Sequence, residues 1–267
     1  MIAHTIHRPC PACASTEVSE LKELAKDTWK IGICGVCDFV FLQNPTEYKA
    51  LEEHFAWEDT FWSEDFERRK KRGILKRAAY HIRMLGYRLK GDPQAKYLKL
   101  LGAGKILDIG CGDVVRWTMP FIPYGIEISK HLHARADSKM RALGGQCYHG
   151  AGAEQIYTLP ESYFDSVMMH SYLEHEVQYR ELLKGCFRCL RPGGKAFIRV
   201  PNYGSFNRRI SGAKWPGFRY PDHVNYFTQH TLRAATQEAG FTFQLTNKAT
   251  IWLDDNIQAL LTKPATI

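Results

Sequence analysis

The chain has 267 residues, of which 45% are hydrophobic and 24% charged, and its formal net charge is +8. This composition is typical of a folded globular protein and excludes a disordered or collagen-like chain. The length predicts one large domain, with or without a small appended one. No uncharged apolar run reaches the roughly 18 to 20 residues that cross a bilayer. The first residues lack a basic segment followed by an apolar one, so we expect no signal peptide and a cytoplasmic location.

Four of the eight cysteines form two Cys-x2-Cys pairs near the start of the chain, with 20 residues between the pairs. Each pair can form a tight turn that directs two thiolates at one ion, and two such turns complete a tetrahedral zinc site. The zinc ligands would be Cys10, Cys13, Cys34 and Cys37. We therefore predict a structural zinc ribbon over residues 1–45, with Glu20–Leu24 and Trp29–Ile33 as short strands. Ala14 and Asp38 stand where a Gly often follows the second cysteine, and four reduced, unliganded thiols are the alternative.

A third Cys-x2-Cys pair, Cys186 and Cys189, lies in a different context. Apolar residues recur around it at helical spacing, and the pattern ends at an Arg-Pro-Gly-Gly sequence. On a helix the two thiols share one face, where free cysteine behaves as a small hydrophobic side chain. We predict core packing for this pair, with metal binding as the alternative. Cys111 and Cys147 have no partner that the sequence reveals.

The rest of the chain divides into a helical stretch and a region where strands and helices alternate. Residues 46–100 have a helical pattern, and the part from 66 to 90 carries ten Lys and Arg residues. From residue 101 onward the alternation predicts an α/β domain around a mostly parallel sheet. The predicted strands are Lys105–Ile109, Tyr124–Ile128, Cys147–His149, Phe164–His170, Ala196–Pro201 and Phe241–Lys248. The predicted helices are Ser129–Leu143, Leu173–Leu190 and Gln229–Ala239. Thr250–Ile267 offers only a weak pattern for a last, antiparallel strand.

The strand that ends in ILDIGCG leads into a glycine-rich turn. Gly110 and Gly112 let the backbone approach a ligand where a Cβ would obstruct it. Nineteen residues after Asp108, at the end of the next strand, Glu127 can accept both hydroxyls of a ribose. Strand, turn, helix, strand and terminal acid together predict a nucleoside site. A dinucleotide-dependent oxidoreductase is disfavoured because Val115 stands where such a turn has its third Gly.

These residues are followed, in order, by YGIEIS, GAEQI, FDSVMMHSYLEH, LRPGG and FIRVPN. This series resembles the class I S-adenosylmethionine-dependent methyltransferases, and the resemblance covers nearly the whole chain. With its zinc ribbon, the chain is similar to bacterial enzymes that methylate small molecules such as sugars, cell-surface glycan precursors or ubiquinone-type phenols. The resemblance implies a Rossmann-like, mostly parallel sheet of seven strands with helices on both faces over residues 101–267. A helical linker or lid would occupy residues 46–100.

The resemblance also implies roles for individual residues. S-adenosylmethionine would be held by Asp108, Gly110, Cys111, Gly112, Glu127, Ile128, Ala153, Glu154 and His170. Of these, Glu127 would hold the ribose and His170 would lie near the methyl donor. Two positions depart from the family. Val114 stands where a third Gly is frequent, and Gly152 stands where an Asp often precedes the Ala-Glu pair.

Methyl transfer is an in-line displacement, so the protein must mainly align donor and acceptor and exclude water. The candidate bases are His170, His175 and His223, because an unperturbed histidine can take a proton near neutral pH. A structural hydrogen bond is the alternative for each. Glu174 and His175 also resemble part of a divalent-metal segment in ubiquinone-type O-methyltransferases, but Ser171 replaces its first Glu. We interpret Glu174 instead as a carboxylate at a helix N-terminus.

The segment from 202 to 228 is long, aromatic and basic. In an α/β sheet it would leave the carboxyl end of a strand, the edge where ligands bind. We therefore expect Asn202, Trp215 and Tyr226 to contact the substrate, with His223 as the first choice of base. An aromatic cluster packed on the domain is the alternative.

Three functions fit these patterns. The first is methyl transfer to a small molecule, such as an anionic sugar, a phenol or a phosphorylated precursor. The second is an RNA methyltransferase that grips the backbone with the ribbon and the basic stretch 66–90. Against it, Met168–Tyr172 lacks the Asn/Asp-Pro-Pro-aromatic element of base-amine methylators. The third is a non-catalytic cofactor-binding protein.

The basic stretch 66–90 would bind phosphate groups, an anionic membrane surface or nucleic acid. The alternative is a solvated face of a helix.

Overall fold

The computed structural model of the protein describes residues 7–46, 93–113 and 115–265. The basic stretch 66–90, most of the predicted helical linker and Val114 lie outside the described residues. Within those three ranges, no helix combines the length and the hydropathy that crossing a bilayer requires.

Residues 7–46 form the N-terminal module, which contains three short antiparallel strands. They are β1 (Val18–Glu20), β2 (Ile31–Cys34) and β3 (Val40–Leu42). The predicted strand at Glu20–Leu24 is wrong, because Lys22–Leu24 forms a 3-10 turn that buries Leu24. The strand predicted from Trp29 begins two residues later, because Trp29 forms an isolated bridge with Lys26 across a tight turn.

A seven-stranded sheet forms the body of the protein. Its first five strands are β4 (Gly104–Ile109), β5 (Phe121–Glu127), β6 (Gln146–His149), β7 (Phe164–His170) and β8 (Leu190–Pro201). The two-residue strand β9 (Asn225–Tyr226) joins the N-terminal module instead. The body sheet is completed by β10 (Thr242–Leu245) and β11 (Asn256–Thr262). The strand order is β10-β11-β8-β7-β4-β5-β6, and β11 runs antiparallel to both of its neighbours. The predicted mostly parallel α/β sheet is confirmed.

Six helices accompany these strands within the described residues. They are α1 (Pro93–Leu101), α2 (Lys130–Arg141), α3 (Gly152–Gln155), α4 (Tyr179–Cys189), α5 (Phe206–Ser211) and α6 (Gln229–Glu238). Cys186 and Cys189 lie on α4 and are fully buried, which confirms core packing for this pair. The strand predicted from Ala196 begins earlier, at Leu190. The Pro-Gly-Gly sequence before it forms an irregularity inside β8, where Gly193 adopts a left-handed φ of 75°.

The helix predicted from Leu173 begins only at Tyr179. The intervening residues form turns because they hold a distant segment. The Glu174 carbonyl accepts the backbone N–H groups of Val224 and Asn225. The Asn225 side chain donates in turn to the carbonyls of Leu173 and Glu176. The interpretation of Glu174 as a carboxylate at a helix N-terminus is therefore wrong.

The N-terminal module and the body share a hydrophobic core. Strand β9 pairs with β3, with Val40 opposite Tyr226. Phe39 follows the fourth cysteine by two positions, and its ring lies 5.7 Å from that of Tyr179 and 5.3 Å from that of Phe227. Because aromatic pairs at these distances add to the burial of apolar area, the contact stabilises both parts of the protein.

Candidate functional site

The glycine-rich turn that follows β4 has the conformation that a close ligand approach requires. Gly110 and Gly112 have φ values of 69° and 60°, a region that other residues rarely adopt. Asp108, buried at the end of β4, accepts a hydrogen bond of 2.8 Å from the indole N–H of Trp117. Burial raises the pKa of Asp108 to about 6, while the Arg116 charge and the Trp117 bond act in the opposite direction. The Asp108 carboxyl is therefore anchored inside the protein by Trp117.

Glu127 joins this turn to the neighbouring strand. One carboxylate oxygen accepts the N–H of Gly112 and the other accepts the N–H of Ser129, each at 2.8 Å. A carboxylate oxygen can accept two hydrogen bonds, so Glu127 retains acceptor capacity for a pair of hydroxyl groups. Ser129 also caps α2 by accepting the Leu132 N–H. The geometry fits the predicted contact with a ribose, and Ile128 lies between these two residues.

Tyr172 is a residue of this site that the sequence analysis missed. Its hydroxyl accepts the N–H of Gly152 at 3.1 Å and donates to a carboxylate oxygen of Glu176 at 3.3 Å. A Cβ added at Gly152 would lie 2.5 Å from this hydroxyl, and one at Gly110 would lie 2.4 Å from the ring. The space that an Asp often occupies in the family is thus filled by Tyr172. The following residues, Ala153 and Glu154, are buried and exposed respectively.

Two buried cysteines lie beneath the turn. The sulfur atoms of Cys111 and Cys147 are 3.6 Å apart, although the sequence showed no partner for either. The two residues pack with Ala136 and Met140 of α2 in a small cluster. Both thiols are free. Cys111, one of the predicted cofactor-binding residues, therefore packs its side chain against α2.

His170 ends β7 at the same edge of the sheet. It lies opposite Arg199 in the register with β8, and Arg199 donates a 2.7 Å hydrogen bond to the Ser171 hydroxyl. Burial, together with the charges of Arg199 and Arg116, lowers the pKa of His170 to about 4. At neutral pH, His170 is therefore uncharged.

The turn after β7 and the segment before β9 bring together Glu174, His175 and His223, named here the acceptor cluster. One ligand-forming atom from each of the three lies within 4.8 Å of those of the others. The rings of the two histidines are nearly perpendicular, with centroids 4.7 Å apart. The Nδ1–H of His175 donates to the Asp222 carbonyl at 2.9 Å, and that of His223 donates to the Gly217 carbonyl at 2.7 Å. The backbone therefore fixes the tautomer of both rings.

Glu174 and His223 of the acceptor cluster are buried, and His175 is half-buried. The Glu174 side chain is 1% exposed, and burial raises the pKa of its carboxyl to about 8. Burial lowers the pKa of His175 to about 4, and the nearby Arg219 charge acts in the same direction. Among the residues that the structure describes, Oε2 of Glu174 has no hydrogen-bond partner. The cluster thus brings the neutral imidazole of His175, the His223 ring and one carboxyl group together in a sheltered position.

The other residues expected to contact the substrate have structural partners. Trp215 and Tyr226 are each 2% exposed, and both pack in the cluster of apolar residues between the N-terminal module and the body. The Asn202 amide donates to the carbonyls of Ile251 and Asp254, and its oxygen accepts the Gly204 N–H. Of Asn202, Trp215, His223 and Tyr226, His223 is the residue that lies next to His175 in the turn after β7.

Arg8 is a second residue that the sequence analysis missed. Its guanidinium donates to the carbonyls of Leu42, Val177 and Val224 and to the side chain of Asn225. Val177 follows His175 by two residues and Val224 directly follows His223, so Arg8 contacts both segments that form the acceptor cluster. No local pattern marks the position, because its partners are up to 217 residues away.

The four cysteines of the N-terminal module converge. The Sγ–Sγ distances are 3.6 Å for Cys10 and Cys37 and 3.5 Å for Cys13 and Cys34, and all four atoms lie within 4.8 Å of one another. A tetrahedral ion with Zn–S bonds of about 2.3 Å separates its sulfur ligands by about 3.8 Å. The residue after each pair, Ala14 or Asp38, adopts the left-handed conformation with a φ of 59° or 56°. The turns thus have the form that glycine often provides at such sites.

Comparisons with known proteins agree with this fold. A family model described as a methyltransferase domain matches residues 86–245. No curated protein matches the chain significantly. A SAM-dependent methyltransferase from Archaeoglobus fulgidus has 17% identity and a TM-score of 0.48, with 68% of this chain and 94% of that chain covered. A Thermotoga maritima SAM-dependent methyltransferase has 21% identity and a TM-score of 0.47, with coverage of 62% and 84%.

A further solved structure is the complex between the Haloferax volcanii Trm112 methyltransferase activator and a methyltransferase. It has 14% identity and a TM-score of 0.50, with 72% of this chain and 99% of that chain covered. At this identity and TM-score, the likeness to the Haloferax volcanii complex shows a common fold.

Proposed function

Because the chain belongs to the methyltransferase-domain family and is an S-adenosylmethionine-dependent methyltransferase, we propose that it methylates a small molecule held at the acceptor cluster. The acceptor class is an anionic sugar, a phenol or a phosphorylated precursor. The observation that carries this proposal is the convergence of His223 with Glu174 and His175 at the ligand-binding edge of the sheet. Sheltered proton acceptors at this edge suit a hydroxyl or carboxylate that must be aligned and desolvated before it reacts.

The residues at the glycine-rich turn fit S-adenosylmethionine. Glu127 retains acceptor capacity for the ribose hydroxyls. A Cβ built at Gly112 would meet no atom of the described residues within 4 Å, so a ligand can approach the backbone there. The holding residues would be Asp108, Gly110, Cys111, Gly112, Glu127, Ile128, Ala153, Glu154 and His170. When bound, the cofactor supplies an electrophilic methyl group on a sulfonium sulfur.

The three histidines have separate roles in this proposal. His223 orients or deprotonates the acceptor, since its Nδ1–H is held by a carbonyl and its lone pair therefore lies on Nε2. His175 has the same tautomer and is the second choice of base. His170 stays neutral beside the donor, because burial and then the Arg199 charge lower the pKa of its imidazole. Asn202, Trp215 and Tyr226 support the segment that carries His223.

A structural zinc ion is part of the same proposal. The ligands would be Cys10, Cys13, Cys34 and Cys37, whose sulfur spacing fits a tetrahedral ion. Burial raises the pKa of the Cys34 thiol, but the N–H groups of Val36 and Cys37 and the adjacent thiols lower it to about 7. The ion would hold the N-terminal module in the form that pairs β3 with β9. It would thereby support the segment that carries His223.

Transfer of a labelled methyl group from S-adenosylmethionine tests the proposal. We expect label in the small-molecule fraction of an extract, and label in the RNA fraction instead would contradict the acceptor class.

Once an acceptor is known, His223→Ala should reduce turnover by roughly 10²- to 10⁴-fold, with unchanged cofactor affinity. The exposed His131 of α2 offers the matched control, and His131→Ala should keep full turnover. Cofactor binding without any turnover would contradict catalysis.

A further inference from the structure

The acceptor cluster contains more than a base and its neighbours. Three side chains that commonly bind metal ions meet there, from two segments about 50 residues apart in sequence. We propose that Glu174, His175 and His223 bind one divalent transition-metal ion, at a site separate from the four cysteines. Two imidazoles and one carboxylate form the protein part of many zinc and iron(II) sites, which keep further positions open for water or substrate.

The hydrogen bonds of the two histidines have the pattern of metal ligands. A histidine that binds a metal through one ring nitrogen usually donates the other ring N–H to a carbonyl or a carboxylate. His175 and His223 both donate from Nδ1 to main-chain carbonyls, at 2.9 and 2.7 Å. Both rings therefore have their lone pair on Nε2. Nothing about general-base catalysis requires a second histidine with the same tautomer, whereas a shared ion does.

Glu174 provides the second, independent observation. Its side chain is 1% exposed, and its Oε2 has no hydrogen-bond partner among the described residues. A buried carboxyl oxygen without a partner is unfavourable, and native proteins rarely retain one unless a water or an ion satisfies it. A cation between Glu174 and the two imidazoles would satisfy this oxygen and stabilise the ionised carboxylate.

Glu176 shows the contrasting arrangement. It is also a buried glutamate in the same turn, two residues further along the chain. One of its carboxylate oxygens accepts the Gln178 N–H at 2.9 Å, and the other accepts the Tyr172 hydroxyl. Both carboxylate oxygens of Glu176 therefore have hydrogen-bond partners within the protein. The alternative for the acceptor cluster is a metal-free arrangement in which Glu174 is protonated and His223 is a bare base.

The position of the site suggests what the ion would do. It lies in the turn after β7, at the edge of the sheet that carries the glycine-rich turn. With the ion bound, the His223 lone pair is a metal ligand and is not available as a base. The ion would instead bind an oxygen of the acceptor and favour its ionised form. This role rests on the proposed function, whereas binding of the ion does not. The chemistry favours acceptors with an oxygen anion or an ionisable hydroxyl.

Titration of the zinc-loaded, full-length protein with Co²⁺ tests the site without cofactor or acceptor. Equilibrium dialysis should find one added equivalent, with the weak visible bands of nitrogen and oxygen ligands and no sulfur-to-cobalt charge transfer. Glu174→Gln and His223→Gln should each weaken this binding at least tenfold, and Glu176→Gln should leave it unchanged. Thermal unfolding reports whether each variant is folded.

Two results would overturn the proposal. One is a wild-type protein that binds no Co²⁺ beyond exchange into the four-cysteine site. The other is added binding that persists in folded Glu174→Gln or His223→Gln protein. If methyl transfer to a small molecule still depends on His223 in either case, the proposed function stands with His223 as a bare base.

Discussion

Replacing Arg8 with Ala should loosen the N-terminal module and the two segments that form the acceptor cluster. The Arg8 guanidinium bridges β3, the turn before α4 and the segment that enters β9. Its shortest bonds are 2.7 Å to the Val224 carbonyl and 3.1 Å to the Leu42 carbonyl. The remaining two, to Val177 and Asn225, are each 3.3 Å. Truncation leaves three main-chain carbonyls without this donor.

The structure sets the size of the effect. A hydrogen bond from a charged donor contributes about 1.5 to 3 kcal/mol, and the two shorter bonds here are the stronger ones. Burial lowers the pKa of Arg8 to about 10, which indicates a desolvation cost that truncation removes. The free energy of unfolding should therefore fall by roughly 2 to 4 kcal/mol. For a chain of this size, that corresponds to a decrease in Tm of roughly 5 to 15 °C.

Thermal unfolding followed by circular dichroism measures this change. Arg8→Lys should recover only part of the loss, because an ammonium group cannot reproduce the planar fork that reaches several carbonyls. Arg141→Ala is the matched control. Arg141 is exposed and pairs with Asp137 one helical turn away, where solvent screens the interaction, so its loss should leave the Tm nearly unchanged. A Tm for Arg8→Ala within 2 °C of wild type would refute the reasoning, as would full stability in Arg8→Lys.

Three further predictions concern the other parts of the site. Glu127→Ala should weaken S-adenosylmethionine binding at least tenfold by calorimetry, because the ribose loses charge-assisted bonds of about 1.5 to 3 kcal/mol each. An unchanged dissociation constant would show that Glu127 does not hold the ribose. Cys34→Ser should abolish the binding of the zinc ion. It should also expose Trp215 to fluorescence quenchers, because β3 and β9 share a sheet and Trp215 packs against residues of both strands. Zinc retained at full stoichiometry would contradict the ligand set. The pKa of His170 is about 4 when folded, below its ordinary value of 6.5. The unfolded chain therefore takes up this proton first, and the stability present above pH 6.5 is lost as the pH falls towards 4. In urea unfolding, His170→Gln should reduce the loss of stability at low pH by at most about 3 kcal/mol. An identical pH dependence of stability in the wild type and the variant would contradict the lowered pKa of His170.

Several features of this protein could be predicted from sequence because their cause is local. The spacing of Cys10, Cys13, Cys34 and Cys37 within each pair brings two sulfur atoms to one turn, and the structure places all four together. Alternating strand and helix patterns predicted the parallel sheet. The glycine-rich turn after Asp108 and the acid at Glu127 follow from the order of two adjacent strands, and the structure joins them through the bond between Glu127 and Gly112.

Other features were decided only by contacts between distant segments. The helix expected from Leu173 was replaced by a turn because Asn225 and its neighbours compete for the same backbone groups. Gly152 departs from the family pattern because Tyr172 already fills the space of a longer side chain. The pairing of Val40 with Tyr226, which orders the segment around His223, joins residues 186 positions apart. Periodicity in a sequence reports which face of an element is apolar, but it does not report which distant element that face meets. The mostly parallel sheet was therefore predictable from the sequence, whereas the acceptor cluster and the position of Arg8 depended on the tertiary structure.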